Sequence, residues 1–176
     1  GNRQQSFPVS WKPEEQSFEL QPQKVNVSVY GQGVTLGARK KKVTSPVSGK
    51  SVDLVLLDAN FPGNENPEWV RGSSDFLYDD RFKQVHNVML GFGGPAMLQA
   101  LGYDISTHHA QEGHAAALML KLLIENGWNA DSVRELCIFT NHTPLRAGMP
   151  TYELNDIEAA IGHTLPGKIR ELAGHD

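Results

Sequence analysis

The sequence predicts an α/β fold, and three observations carry that prediction. Val25, Val27 and Val29, then Val34, Leu36 and Ala38, then Val52 to Leu57, alternate or run apolar between turn formers, which reads as an antiparallel β unit over 24–58. From 75 to 176, helical spacings alternate with short β-leaning runs, the pattern of parallel strands joined by helices. A chain of 176 residues is enough for one well-buried domain and too short for two large ones.

Each element has its own signal. Residues 1–23 mix Pro8, Pro13 and Pro22 with Gln, Ser and Glu, which predicts an extended arm with at most a short strand from Phe7 to Trp11. Gly31-Gln32-Gly33 and Ser45-Pro46-Val47-Ser48-Gly49 divide the β unit, and Lys40-Lys41-Lys42 fits a solvated strand edge that resists aggregation. Asn60 to Ser74 is a loop by composition, and a helix is expected from Asp79 to Leu90. Gly91-Phe92-Gly93-Gly94-Pro95 then predicts a hinge between two helices, the second ending at Gly102. Ile105 to His109 is a candidate strand, Glu112 to Asn126 a helix closed by Gly127, and a further helix from Asp131 leads into a strand over Cys137 to Thr140. A turn from Asn141 to Gly148 and a helix from Leu154 complete the chain.

Composition excludes several functions. Sixteen Lys and Arg against twenty Asp and Glu give a net charge of −4, the wrong sign for nucleic acid or an anionic membrane. The most apolar stretch, Ala115 to Ile124, falls short of the roughly 20 residues a bilayer requires. One cysteine, Cys137, forms no internal disulfide, which points to the cytoplasm.

Two segments place titratable residues just beyond predicted parallel strands: Thr107-His108-His109-Ala110-Gln111-Glu112-Gly113-His114 and Thr140-Asn141-His142-Thr143-Pro144. Ligands of open α/β sheets bind outside the carboxyl ends of strands, so the two should converge on one crevice. Glu112, Gly113 and His114 would occupy the first turn of a helix, where Glu112 either caps the turn or lines the crevice. A metal site built on His108, His109, Glu112 and His114 is disfavoured, because H-x-x-E-x-H lacks the i, i+4 histidines of helical zinc motifs. A Cys137–His142 nucleophile is disfavoured because the thiol lies inside an apolar strand. Gly91-Phe92-Gly93-Gly94 lacks the preceding strand and the spacing of a dinucleotide loop.

Leu56-Leu57-Asp58-Ala59-Asn60, the block from Leu77-Tyr78 through Leu90-Gly91-Phe92-Gly93-Gly94, Gln111-Glu112-Gly113-His114-Ala115-Ala116 and Phe139-Thr140-Asn141-His142-Thr143-Pro144, in this order and spacing, resemble the α-glucan phosphorylases, the family of glycogen, starch and maltodextrin phosphorylases. The match runs from Val25 to Gly148 and is similar to the bacterial branch, where the last two motifs usually read N-E-G-H-A-A and T-T-H-T-P. The resemblance implies a B-type glycosyltransferase with two Rossmann-like domains, of which this chain would be part of the N-terminal one. It also implies phosphorolysis of α-1,4-glucans to glucose 1-phosphate, with glucan and phosphate as partners.

By resemblance His142 is the catalytic-site histidine that contacts the glucosyl 6-hydroxyl, with its carbonyl near the anomeric centre; Glu112, Gly113, His114, Asn141 and Thr143 bind substrate. The family's pyridoxal phosphate supplies a phosphate group as acid and base. Its lysine and the glycine-rich phosphate loop are expected outside this chain, which alone is expected to hold no cofactor and no metal and to be inactive. Departures are His86-Asn87 in place of Gln-Glu, Gln111 in place of Asn, and Pro144-Leu145-Arg146-Ala147-Gly148-Met149-Pro150 in place of P-V-P-A-G-H-D. They allow a second reading, a non-catalytic carbohydrate-binding or regulatory relative. A missing strand would leave a sheet edge open and favour a homo-oligomer.

Overall fold

The computed structural model describes residues 12–64, 80–143, 145 and 151–173. The chain is mixed α/β. Strands β1 (Glu19–Val29), β2 (Gln32–Thr44) and β3 (Ser51–Asp58) form an antiparallel sheet in the order β1-β2-β3. Val27 pairs with Val34 and Val25 with Leu36, so period-2 alternation gathers the apolar side chains on one face. Val27, Val29, Val34, Leu36 and Ala38 are buried there.

Two expectations need correcting at this sheet. The first strand starts at Glu19, so 19–23 belong to β1 rather than to the arm; Gln21 and Gln23 lie within a register shift between Leu20 and Lys24, an irregularity that alternation does not encode. The predicted strand over Phe7 to Trp11 lies outside the described residues. Lys40 to Lys42 sit on β2, the middle strand of the order, with Lys41 opposite Leu54 and Lys42 opposite Asp53, so the solvated edge is only the β1-facing side of β2 past Lys40. They tolerate that place because β1 pairs only as far as Glu19–Lys40.

Helix α1 (Asp80–Val88) runs without interruption through a π-helical turn, Met89–Gly93, into α2 (Gly94–Ala100). The glycine hinge expected here is therefore wrong: Gly93 and Gly94 both have right-handed helical backbone. The glycines serve close approach instead. A Cβ on Gly91 would lie 2.5 Å from Ala117 C, inside the backbone of a neighbouring helix, and one on Gly93 would collide with the Leu36 side chain. The turn is wedged between the sheet and that helix, and the extra residue of a π-turn provides the local fit.

The second half is a β-helix-β unit. Strand β4 (His108–Gln111) is followed by a 3₁₀ turn (Gly113–Ala115), α3 (Ala116–Glu125), α4 (Ala130–Leu136) and β5 (Cys137–Thr140). Strands β4 and β5 pair in parallel, as the alternation of helices and strands predicted. The predicted strand over Ile105 to His109 is displaced toward the C-terminus. In β4 only Ala110 is buried, so its position is set by pairing with β5 and not by an apolar run. Asn129 caps α4, its Oδ1 accepting from Asp131 N at 3.1 Å and Ser132 N at 3.2 Å.

Helices α5 (Leu154–Ile161) and α6 (Gly167–Ala173) close the structure. One core joins Val27, Val29, Val34 and Leu36 of the sheet to Val85, Val88 and Met89, with Ala160, Ile161 and Leu165 on the far side. Glu158 holds α6 against α5 through Arg170 and accepts Leu165 N–H at 2.6 Å. No helix among the described residues is long and apolar enough to cross a membrane.

The wedge yields a paired prediction. Gly91→Ala forces a Cβ into α3 backbone and should destabilise the fold by about 1–3 kcal/mol or more. Gly167→Ala, at the first position of α6, meets nothing within 4 Å and should be neutral or stabilising by roughly 0.5–1 kcal/mol. Urea unfolding followed by circular dichroism measures both, and equal effects would contradict the close-approach account.

Candidate functional site

The parallel register His108–Cys137 through Gln111–Thr140 brings the carboxyl ends of β4 and β5 side by side. Glu112 N–H extends the ladder one step, donating to Thr140 O at 2.9 Å. The backbone of Glu112 then turns through φ 60°, ψ 172°, a region that is essentially glycine-only and costs about 1–3 kcal/mol. That turn sends its side chain toward the neighbouring strand end. Glu112 Oε1 accepts both His142 N–H and His142 Nδ1, each at 2.8 Å.

Glu112 is therefore not a helix cap. It precedes the 3₁₀ turn, makes no capping bond, and α3 begins only at Ala116, so the expected helix start at Glu112 is also corrected. Its carboxyl is held below the usual carboxylate range, chiefly by the His142 peptide N–H and then by the His142 ring, which outweigh the opposing effect of burial. Beside it, Asn141 Oδ1 accepts Thr143 N–H at 2.8 Å, an Asx turn, and His109 Nε2 lies 2.7 Å from Thr140 Oγ1. The His142 side chain is 62% exposed against 26% for Glu112, so the histidine faces solvent and the acid lies behind it.

His114 faces a different wall. It lines a cavity of about 570 Å³ with Leu57, Asp58 and Asn60 at the end of β3 and His86, Asn87 and Leu90 of α1 and the π-turn. With its amide oriented to satisfy its surroundings, buried Asn87 donates to His114 O and Lys83 O and accepts from Tyr152 Oη, all at 3.2 Å. Asp58 is fixed by Arg39 Nε at 2.7 Å. Gly113 lines an apolar cavity of about 400 Å³ between α1, α3 and α5. His108 lines a third, of about 310 Å³, with Lys121 and Glu125.

Sequence reasoning thus expected the two segments to converge, and the structure joins them through Glu112 and His142, whereas His108 and His114 line separate cavities. Among the described residues no three His, Cys, Asp or Glu side chains gather in a metal-holding cluster. Cys137 Sγ lies 3.2 Å from Met119 Sδ and has no histidine partner there. Asp58, Asn60, His86 and Asn87 were missed as cavity residues. The available signal was the polar Asp58-Ala59-Asn60 at a strand end and two polar residues, His86-Asn87, inside an apolar helical run.

No family model matches the chain, and no solved structure matches it. It is 35% identical over 127 residues, 66% of the chain, to the maltodextrin phosphorylase of Thermococcus litoralis. It is 35% identical over 114 residues to the glycogen phosphorylase of Aquifex aeolicus and 30% identical over 139 residues, 70% of the chain, to that of Mycobacterium tuberculosis. The chain is homologous to a segment of the α-glucan phosphorylases. It spans 15% of the Thermococcus protein and 16% of the other two.

The family implies pyridoxal phosphate. Lys121 lines the 310 Å³ cavity, but its ammonium pairs with Glu125, and the other charged group there, Asp104, repels a phosphate. The residues of that cavity do not fit the cofactor, and no chemistry is assigned to it there.

The Glu112 carboxylate gives a pH prediction. Because its folded value is depressed, its contribution is complete above the unfolded value of about 4.5 and is lost as pH falls through the folded one. The native protein should melt above Glu112→Gln at neutral pH, and the gap should close on acidification below about 4.5. Melting curves from pH 7 to pH 3 test this; a gap that stays constant would contradict it.

Proposed function

We propose that this chain forms part of the glucosyl-binding wall of an α-glucan phosphorylase-like glycosyltransferase, which uses phosphate to cleave α-1,4-glucans to glucose 1-phosphate. The observation that carries the proposal is the clasp between Glu112 and His142 at adjacent carboxyl ends of two parallel strands. That is where open α/β sheets bind ligands, and the β4-α3-α4-β5 crossover is the unit from which a Rossmann-like sheet is built. Homology to glycogen and maltodextrin phosphorylases supplies the substrate class.

The exposed residues suit a polyol. His142, Asn141 and Thr143 at the end of β5 offer donors and acceptors matched to sugar hydroxyls, while Gly113 and His114, which follow β4, line neighbouring cavities. In phosphorolysis a phosphate oxygen replaces the glycosidic oxygen at C1 and the leaving oxygen takes a proton. This chain's residues would bind and orient the glucosyl unit, with the His142 carbonyl beside the electron-poor anomeric carbon. In the family pyridoxal phosphate supplies acid-base chemistry when bound. A single part-buried cysteine agrees with a cytoplasmic enzyme.

His142→Ala in the full-length gene product should lower glucose 1-phosphate release from maltodextrin and phosphate by about 10²-fold or more. Pyridoxal phosphate absorbance should be unchanged, since the substitution lies on the sugar side. Retained turnover would remove His142 from the site.

A further inference from the structure

Glu112 holds a backbone conformation that glycine adopts freely, while the glycine of the motif stands one position later, at Gly113. A carboxylate is thus kept where the backbone disfavours any side chain, and its bonds show what it does there. Its N–H goes to Thr140 O, and its Oε1 goes to the N–H and Nδ1 of His142. Each of these bonds ends on the β5 terminus, on either side of Asn141.

The peptides flanking His142 are consequently fixed in two ways. Glu112 holds the N–H before the histidine, and Asn141 Oδ1 holds the Thr143 N–H after it, which turns the His142 carbonyl away from the Asn141 side chain. A carboxylate accepts but does not donate, so Nδ1 carries the proton and Nε2 is left as the acceptor of the ring. The exposed ring therefore has one tautomer and one orientation before any ligand arrives.

We infer that Glu112 is a positioning residue, which fixes the His142 peptide and the Nδ1–H tautomer of its ring through Oε1, instead of contacting the sugar itself. This deepens, and rests on, the assignment of His142 to the glucosyl wall. It also explains why strain is retained at one residue: the left-handed extended turn is what lets a side chain at the end of β4 reach across to β5.

The test uses the full-length gene product labelled with ¹⁵N-histidine. Two-bond ¹⁵N–¹H correlation should show His142 as the Nδ1–H tautomer in the native protein and in Glu112→Gln, whose amide oxygen still accepts. In Glu112→Ala and Glu112→Gly it should revert to the Nε2–H form usual for free imidazole. Glu112→Gly should melt above Glu112→Ala, because glycine takes the backbone turn without strain, which leaves a folded variant for the measurement. In turnover, Glu112→Gly should lower kcat about tenfold or more with KM changed less than about threefold, and adding it to His142→Ala should cost little further, as for groups acting as one unit.

An Nδ1–H tautomer that survives Glu112→Gly would overturn the inference, as would additive losses in the double variant. An unaffected His142→Ala would instead defeat the glucosyl-wall assignment, while the tautomer result would still report on the clasp.

Discussion

The arrangement depends on the absence of a side chain at Gly91 and Gly93. The π-turn that carries them lies between the β1–β2 face and α3, close enough that a methyl group on either would collide with Ala117 backbone or with Leu36. Protein interiors are packed densely enough that such contact is a constraint and not an accident. Because the turn touches both partners, the antiparallel sheet and the β-helix-β unit share one core, and the end of β3 is set opposite the 3₁₀ turn at His114. The cavity between them follows from that spacing. Asn87, one turn earlier, ties the same helix to the His114 carbonyl.

The second constraint is local and lies at the strand ends. Parallel pairing of β4 with β5 fixes the distance over which Glu112 must reach, and the left-handed extended backbone gives it the direction. Two hydrogen bonds to one carboxylate oxygen are charge-assisted, and charge-assisted bonds are roughly twice as strong as neutral ones, which offsets the backbone cost. The outcome is an exposed histidine with a half-buried support. A flexible surface histidine would have to be ordered by its ligand; this one is ordered by the fold, and less of the binding free energy is spent on ordering.

What could be read from the sequence follows physical range. Alternation at Val25, Val27 and Val29 and at Val34, Leu36 and Ala38 revealed the sheet, because burial of one face is written in every second residue. Cys137 to Thr140 was legible as a strand for its apolar content, and Leu154 as a helix start. His108 to Gln111 was placed wrongly because its strand character comes from its partner, a long-range cause with no local pattern. The glycines after Leu90 were read as a break because local propensity disfavours glycine in helices; tertiary contact overrode it. At the strand ends, the expected convergence of two segments is met by Glu112 and His142, whereas Asn87 and Asp58 come to line a cavity only through the packing of α1 and β3 around it.

The most direct measurement is glucose 1-phosphate release by the full-length gene product, with maltodextrin and inorganic phosphate supplied together and separately. The account predicts release that requires both substrates. Bound pyridoxal phosphate with no release from either glycogen or maltodextrin would contradict it, and would separate the proposed role of this chain from the activity of its relatives.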